Sequence, residues 1–294
     1  MVKMLENIRL TGSSHNQFLG DLFEGFLDSG VKQSEGQFFT PLPIVKFIIS
    51  SLPIKEILNQ NDEVLAIDYA CGAGHFLNEY ANYIRNFTNG DEAKQKALEK
   101  GIYGIEKETR LAKVSKVASF MYNQNINILG KDALSDIKEI KNNKFQILIA
   151  NPPYSVKGFL STLTQTEREA YELSNIIGEN LETNNAIECF FIERASQILS
   201  ENAVAGIIVP SSLINKNGEI YKKTREILLR NFQIIAISEF GNKTFGQTGT
   251  NTVVLFLRKF SQNPSLFENL KARSEHIFNG VFNDNYDDKN DLEK

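Results

Sequence analysis

Short apolar runs alternate with segments of helical periodicity along this chain from residue 64 onward. An apolar residue every three to four positions is typical of a helix, and a run of about four to eight apolar residues is typical of a buried strand. Strands are predicted at 64–69, 102–105, 126–129, 145–150, 203–209, 233–239 and 252–258, and helices at 74–87, 107–123, 184–200 and 218–230. The pattern predicts an α/β domain in which a doubly wound, Rossmann-like sheet of seven strands carries helices on both faces.

The last two predicted strands break this alternation. No helical pattern separates 233–239 from 252–258, and a loop rich in Gly and Thr, residues 241–251, joins them. Parallel neighbours need a crossover connection, usually a helix, whereas a loop without one joins antiparallel strands. We therefore expect a mostly parallel sheet with an antiparallel last strand.

Segments on either side of the α/β pattern complete the predicted organisation. Apolar stripes of helical spacing occur at residues 13–29 and from 43 to about 58, and a long polar stretch at 155–183 predicts a functional or mobile loop. The predicted parts are a short N-terminal helical segment at 1–60, the α/β domain at 61–260, and a polar tail or stub of a missing C-terminal region at 261–294.

Composition and charge narrow the class of protein. The 294 residues are 41% hydrophobic and 23% charged, as in soluble globular proteins. No apolar run reaches the length of a membrane span and the first residues lack a signal-peptide core, so we expect a cytoplasmic protein without a membrane partner. Cys71 and Cys189 are far apart and the three histidines are scattered, which favours neither a disulfide framework nor a metal site. The net charge of −4 argues against a chain that holds nucleic acid alone through a broad basic face.

The most specific chemistry lies at residues 151–154, Asn-Pro-Pro-Tyr, directly after the strand predicted at 145–150. We call this segment the elbow. Its two prolines keep the backbone extended and leave carbonyl oxygens without local donors, and the Asn151 side chain adds another acceptor. Two such acceptors can hold both hydrogens of a planar NH2 group while Tyr154 stacks on the ring that bears it. An ordinary strand-ending turn is the competing interpretation, since Asn-Pro and Pro-Pro are common turn dipeptides.

A second candidate site follows the first predicted strand. Residues 68–74, Asp-Tyr-Ala-Cys-Gly-Ala-Gly, form a turn whose glycines let the backbone approach a ligand ahead of a helix N-terminus, although the third glycine of the pyrophosphate fingerprint is absent. Glu106 stands after the second strand, where α/β cofactor domains hold ribose hydroxyls, and Asp132 follows the third strand. Because ligands bind at the carboxyl ends of strands in open sheets, these acids and the elbow are predicted to share one cleft.

Taken in order, Gly-Gln-Phe-Phe-Thr-Pro at 36–41, the glycine turn, the two strand-end acids and the elbow resemble the S-adenosylmethionine-dependent N6-adenine DNA methyltransferases of restriction-modification systems. The resemblance covers roughly residues 13–258, which makes it more specific than any single motif. It implies a Rossmann-like methyltransferase sheet. It also implies transfer of a methyl group from S-adenosylmethionine to the N6 amine of an adenine that is flipped out of DNA.

The resemblance implies a role for each matched residue. The cofactor contacts are Phe39 and Thr40 over the methionine end, Asp68, Gly72 and Gly74 beneath it, Glu106 at the ribose and Asp132 at the adenine amine. The catalytic motif is Asn151, Pro152, Pro153 and Tyr154, with Tyr154 stacked on the flipped base and Phe245 helping to hold it. A buried packing role is the alternative for Phe245. One departure is Tyr69, which stands where many relatives have proline and could reshape the glycine turn.

Other functions stay open at this point. Methylation of a glutamine side chain in a protein factor poses the same chemical problem and its family shares the Asn-Pro-Pro-Tyr motif, but residues 36–41 favour the DNA-directed group. The elbow alone does not distinguish adenine in RNA from adenine in DNA. A catalytically silent scaffold subunit is the alternative of another class, and the intact elbow, Asp68 and Glu106 argue against it.

Recognition of a DNA sequence has no evident carrier in this chain. No helix-turn-helix, zinc module or basic helix is recognisable after the predicted catalytic domain. Together with the acidic charge balance, this predicts that DNA is recognised either by a separate specificity subunit or by a C-terminal recognition domain that is missing after Lys294.

Overall fold

The computed structural model describes residues 40–61, 63–178, 180–240 and 251–261. The helical stripe predicted at 13–29 and two predicted contact residues, Phe39 and Phe245, lie outside the described residues. The same holds for the predicted tail after residue 261. The proposed division of the chain into three parts therefore stays a prediction, and the structure bears on the α/β domain itself.

A single seven-stranded sheet organises the described residues, with strand order β3-β2-β1-β4-β5-β7-β6. The strands are β1 (Ala66–Asp68), β2 (Ile102–Ile105), β3 (Asn127–Leu129), β4 (Phe145–Ala150), β5 (Leu199–Pro210), β6 (Phe232–Phe240) and β7 (Thr252–Lys259). Strands β1 to β5 pair in parallel, while β7 runs antiparallel to both β5 and β6. The predicted mostly parallel sheet with an antiparallel last strand is confirmed.

Helices cover both faces of this sheet. They are α1 (Leu42–Ser51), α2 (Ile54–Gln60), α3 (His75–Thr88), α4 (Glu92–Glu99), α5 (Thr109–Met121), α6 (Gln165–Glu169), α7 (Ser174–Ile177), α8 (Ile187–Ile198), α9 (Ser212–Asn215) and α10 (Glu219–Asn231). Successive side chains of β4 enter different cores: Ile147 and Ile149 pack with α1 and α3, whereas Leu148 packs with α8 and α10. This alternation is the period of a strand buried on both sides. Within the described ranges, no helix is long and apolar enough to cross a membrane.

Two sequence predictions need correction. The helix predicted from 43 to about 58 is broken into α1 and α2, because Pro53 disfavours a helical conformation at Leu52, which is extended at φ −88° and ψ 145°. The polar stretch at 155–183 is no plain loop, since it contains a 3₁₀ turn, Phe159–Thr162, together with α6 and α7, and it buries Leu160 and Leu173 completely. Helix α4 was not predicted, since its sequence is largely polar.

One buried cation joins the last strand to the end of α8. The Lys259 ammonium donates to Asn143 Oδ1 at 2.7 Å and to the carbonyl oxygens of Ser196 at 2.8 Å and Leu199 at 2.5 Å. The carbonyls at the C-terminal end of a helix have no intrahelical donor and carry partial negative charge, so a cation there satisfies them. Burial lowers the pKa of this ammonium. The contact ties the end of β7 to the side of the domain where the parallel strands β4 and β5 begin.

We expect Lys259→Met to lower the free energy of unfolding by about 2 kcal/mol, because the substitution keeps the apolar volume and leaves buried acceptors without a donor. Lys222→Met is the control, since the Lys222 ammonium pairs with Glu219 at 2.8 Å on the exposed face of α10. That surface pair is worth less than about 1 kcal/mol. Urea unfolding measures both variants, and equal losses would contradict the role given to Lys259.

Candidate functional site

A cleft of about 660 Å³ opens at the carboxyl ends of the central strands. Five of the residues predicted from the sequence line it: Gly72, Glu106, Asp132, Asn151 and Pro153. Strand order reverses between β1 and β4, and such a switch point is where open α/β sheets bind ligands. The structure therefore brings the glycine turn, both strand-end acids and the elbow to one place.

The glycine turn presents open backbone to the cleft. Gly72 has φ +52°, and a Cβ built on it would meet no atom within 4 Å. Gly74 has φ +92°, and a Cβ there would lie 2.6 Å from Ser115 Oγ. The first glycine thus leaves space for a ligand, whereas the second allows close packing of α5 against the start of α3.

Glu106 holds the glycine turn in place. Its carboxylate accepts the N–H of Gly72 at 2.9 Å on one oxygen and the N–H of Glu108 at 2.7 Å on the other. No sequence pattern predicts this structural role. A carboxylate oxygen is also the kind of acceptor that suits ligand hydroxyl groups. The ribose contact implied by the resemblance stays a prediction.

Asp68 lies under the turn and is almost wholly buried, with 1% of its surface exposed. One of its oxygens accepts the N–H of Ala70 at 3.0 Å. The pKa of the Asp68 carboxyl is raised to about 8, chiefly by burial; the Ala70 N–H opposes the shift and the charge of Glu106 adds to it. A carboxyl whose ionised form is this poorly solvated favours a cationic ligand beside it.

Asp132 is the third acid of the cleft, and it is paired with a residue that the sequence analysis did not single out. Lys107 Nζ lies 2.8 Å from Asp132 Oδ2 and donates to Thr162 Oγ1 at 3.0 Å. Asp132 Oδ1 accepts the N–H of Leu134 at 3.0 Å. Lys107 directly follows Glu106 in the chain, and that adjacency to a strand-end acid was the one available signal. The pair joins the rim of β2 to the 3₁₀ turn of the 155–183 segment.

Asn151 is fixed at both ends of its side-chain amide. Its Nδ2 donates to Thr40 Oγ1 at 3.1 Å, and its Oδ1 accepts from the Tyr154 hydroxyl. Thr40 is buried just ahead of α1, so the end of the 36–41 segment reaches the elbow. The resemblance placed Thr40 over a cofactor, whereas the described structure gives it a bond to Asn151. Its cofactor role stays a prediction.

Tyr154 does not present its ring to the cleft. Only 5% of its surface is exposed, and it packs in the same core cluster as Ile149 and Phe76. The hydroxyl bond to Asn151 and core packing hold the ring inward in this arrangement, and the stacking role implied for Tyr154 stays a prediction. Stacking on a base, as the resemblance implies, requires the ring to turn outward.

Tyr69 occupies the floor of the cleft. Its ring lies 4.9 Å from that of Phe191 and is buried among core residues. The turn above it closes normally, with Cys71 N–H bonded to Ile105 O at 2.9 Å and Gly74 N–H to Cys71 O at 2.7 Å. The larger side chain is therefore accommodated by packing against α8 and leaves the hydrogen bonds of the glycine turn intact.

Phe39 and Phe245 lie outside the residues that the structure describes, so neither is assigned a place in the site. Among the residues described, no group of three or more His, Cys, Asp or Glu side chains could hold a metal ion. The site consists of carboxylates, exposed backbone at Gly72 and the amide of Asn151. That set suits an organic ligand with a cationic group and several hydroxyls.

Comparison with known proteins assigns a family to these features. Residues 14–283 match the model of the family described as N-6 DNA Methylase. The chain is 25% identical over 334 residues to the type II restriction enzyme and methyltransferase RM.Eco57I of Escherichia coli. This match covers 87% of this chain and 32% of that protein. It is 27% identical over 261 residues to the type II methyltransferase M.VspI of Vibrio sp. (strain 343), covering 87% and 56% of the two chains.

The fold has solved counterparts. A modification subunit of a putative type I restriction enzyme from Vibrio vulnificus YJ016 superposes with a TM-score of 0.63 at 16% identity, over 96% of this chain and 61% of that chain. At this identity the likeness shows the fold alone. The chain spans about a third of the length of one curated relative and about half of the other.

The buried Asp68 carboxyl generates a pH prediction. Because its pKa is about 8 in the folded chain and about 3.9 in an unfolded one, the folded state keeps a proton that the unfolded state loses. Its contribution to stability is therefore full below about pH 4 and is lost as pH rises through 8. Between pH 5 and 8, the stability of Asp68→Asn relative to the parent chain should change by about 1 kcal/mol per pH unit, in favour of the variant at high pH. Urea unfolding across this range measures it, and parallel curves would contradict the assignment.

Proposed function

Because the chain belongs to the N-6 DNA methylase family, we propose that it transfers a methyl group from S-adenosylmethionine to the N6 amine of an adenine in DNA. The observation that carries the proposal is the position of Asn151, which is held by Thr40 at the rim of a cleft lined by Gly72, Glu106 and Asp132. A site-specific, adenine-directed DNA methyltransferase is the corresponding enzyme class.

The cleft fits the proposed cofactor in size and chemistry. In the lining of the cleft, Glu106 suits the ribose hydroxyls and Asp132 the adenine amine, while Gly72 leaves its Cβ position open. Asp68, buried beneath the glycine turn, suits the cationic methionine end. The volume of about 660 Å³ is within the ordinary range of ligand pockets, about 300 to 1,000 Å³. When bound, S-adenosylmethionine supplies a methyl group that its positively charged sulfur has already activated.

The protein's own part in the reaction is to orient the amine. Asn151 Oδ1 can accept one N–H of the target amine, and the carbonyl of Pro152, at the elbow, can accept the other. Asn151 Oδ1 is bonded to the Tyr154 hydroxyl in this structure, so an incoming amine would replace that phenol. The exchange keeps the oxygen satisfied and releases Tyr154 to turn outward and stack on the base. Alignment rather than a general base then accounts for the rate.

The target adenine must leave its duplex to reach the elbow, because the N6 amine of a stacked base cannot enter a cleft at strand ends. With a net charge of −4, the chain has little basic surface for contacts with many DNA phosphates. We propose that sequence recognition comes from a specificity subunit or from a further recognition region. The curated relatives are longer than this chain and have room for such a region.

Asn151→Ala should abolish methyl transfer, with a fall in kcat of at least about 100-fold, because the amine loses the acceptor that orients it. Binding of S-adenosylmethionine should change by less than about twofold, since the cofactor contacts lie elsewhere in the cleft. Transfer of labelled methyl groups to adenine-unmethylated DNA and calorimetry measure the two effects. Undiminished turnover would overturn the role of the elbow.

Gly72→Ala should weaken cofactor binding at least about tenfold, because the new methyl group projects into space that the proposed ligand fills. Gly90→Ala is the matched control: Gly90 has φ +92°, its Cβ position is also open, and it lies in the turn between α3 and α4. Both variants carry a similar backbone cost of about 1 kcal/mol. Calorimetric titration separates them, and equal affinity for the cofactor would contradict the proposed binding mode.

A further inference from the structure

A buried carboxylate lies behind the elbow, outside the lining of the cleft. Glu188 is in the first turn of α8, and 1% of its surface is exposed. A charged group at this depth is costly unless hydrogen bonds compensate it. The hydrogen-bond partners of Glu188 compensate the cost of its burial and show which part of the structure the carboxylate stabilises.

One oxygen of Glu188 holds Ser155, the residue that follows the elbow. Glu188 Oε2 accepts the backbone N–H of Ser155 at 3.1 Å. Ser155 directly follows Tyr154 and has a left-handed φ of 55°, a conformation that costs a residue with a side chain about 1 kcal/mol or more. The carboxylate therefore stabilises a turn that the Ser155 backbone disfavours.

The other oxygen of Glu188 joins a small network from the next helices. Glu188 Oε1 accepts from the Tyr221 hydroxyl at 3.2 Å, and that hydroxyl accepts from Lys216 Nζ at 3.4 Å. The same ammonium lies 4.7 Å from the centre of the Tyr221 ring. Tyr221 is on α10 and Lys216 is on the loop before it. These two residues compensate the charge of Glu188 at Oε1, while Oε2 binds the Ser155 N–H.

The charge of Glu188 also reaches the elbow directly. Burial raises the pKa of the Tyr154 phenol well above its ordinary value, and the Glu188 carboxylate raises it further. Tyr154, protonated at neutral pH, donates its hydroxyl hydrogen to Asn151 Oδ1. The hydrogen bond of Glu188 to Ser155 and its electrostatic effect on Tyr154 therefore both act at the carboxyl end of the elbow.

We propose that Glu188 is a positioning residue for methyl transfer: through the Ser155 N–H it holds the backbone of the elbow in the geometry from which Asn151 meets the target amine. This inference rests on the proposed function and adds a residue that lies outside the cleft and outside the motifs. Glu188 touches neither substrate nor cofactor in this account.

The simpler alternative is that Glu188 only stabilises the fold, and the chain contains a residue that does so. Glu193, on the same helix, is also buried and accepts the N–H groups of Glu172 at 2.5 Å and Leu173 at 3.1 Å. Burial raises the pKa of both carboxyls. Glu193 serves the 155–183 segment far from Asn151, so it is a matched control for the loss of a buried carboxylate on α8.

The test compares Glu188→Met, Glu188→Gln and Glu193→Met in the full chain. Glu188→Met keeps the side-chain length and removes both acceptors, while Glu188→Gln keeps an acceptor for Ser155. Three quantities are measured: hydrogen exchange of the backbone at 151–158, affinity for S-adenosylmethionine by calorimetry, and kcat for methylation of duplex DNA. Tyr221→Phe, which removes one partner of Glu188, is a milder fourth variant.

We expect Glu188→Met to speed exchange at 151–158 and to lower kcat by about 10- to 100-fold, with cofactor affinity within about twofold of the parent chain. Glu188→Gln should restore most of kcat and most of the protection from exchange at 151–158. Glu193→Met should leave kcat and exchange at 151–158 unchanged. If Glu188→Met does not fold, Tyr221→Phe must show a smaller loss of kcat at unchanged cofactor affinity.

Unchanged exchange at 151–158 in Glu188→Met, or faster exchange with undiminished kcat, would overturn the positioning role. A loss of cofactor affinity as large as the loss of kcat would also overturn it, since that result indicates general damage to the fold. A parent chain that binds the cofactor but methylates no DNA, even together with any recognition subunit encoded with it, would instead contradict the proposed function. Hydrogen exchange still decides in that case whether Glu188 holds the elbow.

Discussion

The parallel pairing of β1 with β4 is the constraint on which the site depends. Ala66 pairs with Ile147 and Ile67 with Leu148, so the two strands end side by side and pointing the same way. The glycine turn follows one strand and the elbow follows the other. Because this pair is also the point where strand order reverses, the helices that follow diverge and leave the cleft between them. Register in the buried core thereby sets the distance between the two halves of the site.

The cleft combines carboxyl groups with exposed backbone. Asp68 lies beneath the glycine turn and Glu106 is hydrogen-bonded to it, and the charge of Glu106 adds to the cost of ionising the buried Asp68 carboxyl. A bound cation near the two acids would offset the cost of ionising Asp68. Buried acids of this kind suit a site that binds a cationic ligand, whereas elsewhere in a fold they only destabilise it. Glu106 also bonds to Gly72, so the residue proposed to hold a ribose shapes the turn beneath it. Ligand binding and local structure share one carboxylate.

Periodicity and strand-end positions were sufficient to predict the seven strands, the antiparallel β7 and the gathering of Glu106, Asp132 and the elbow, because each depends on local pattern and on a general rule of open sheets. Contacts between distant segments were not predictable. Thr40 and Asn151 are 111 residues apart in the chain, and no pattern pairs them. Glu188 looks like an ordinary polar residue of a helix until Ser155 is placed above it. The inward position of Tyr154 follows from core packing, which motif comparison does not describe.

The product of the reaction tests the account most directly. Duplex DNA free of modified bases is incubated with the chain, together with any recognition subunit encoded with it, and S-adenosylmethionine, and its nucleosides are then identified by mass spectrometry. Because the chain belongs to the N-6 DNA methylase family, we expect N6-methyladenine in DNA, formed only when the Asn151 side chain is present, and no methyl transfer to RNA or protein treated in the same way. Methyl groups found instead on protein glutamine, on RNA or on another base of DNA would contradict it.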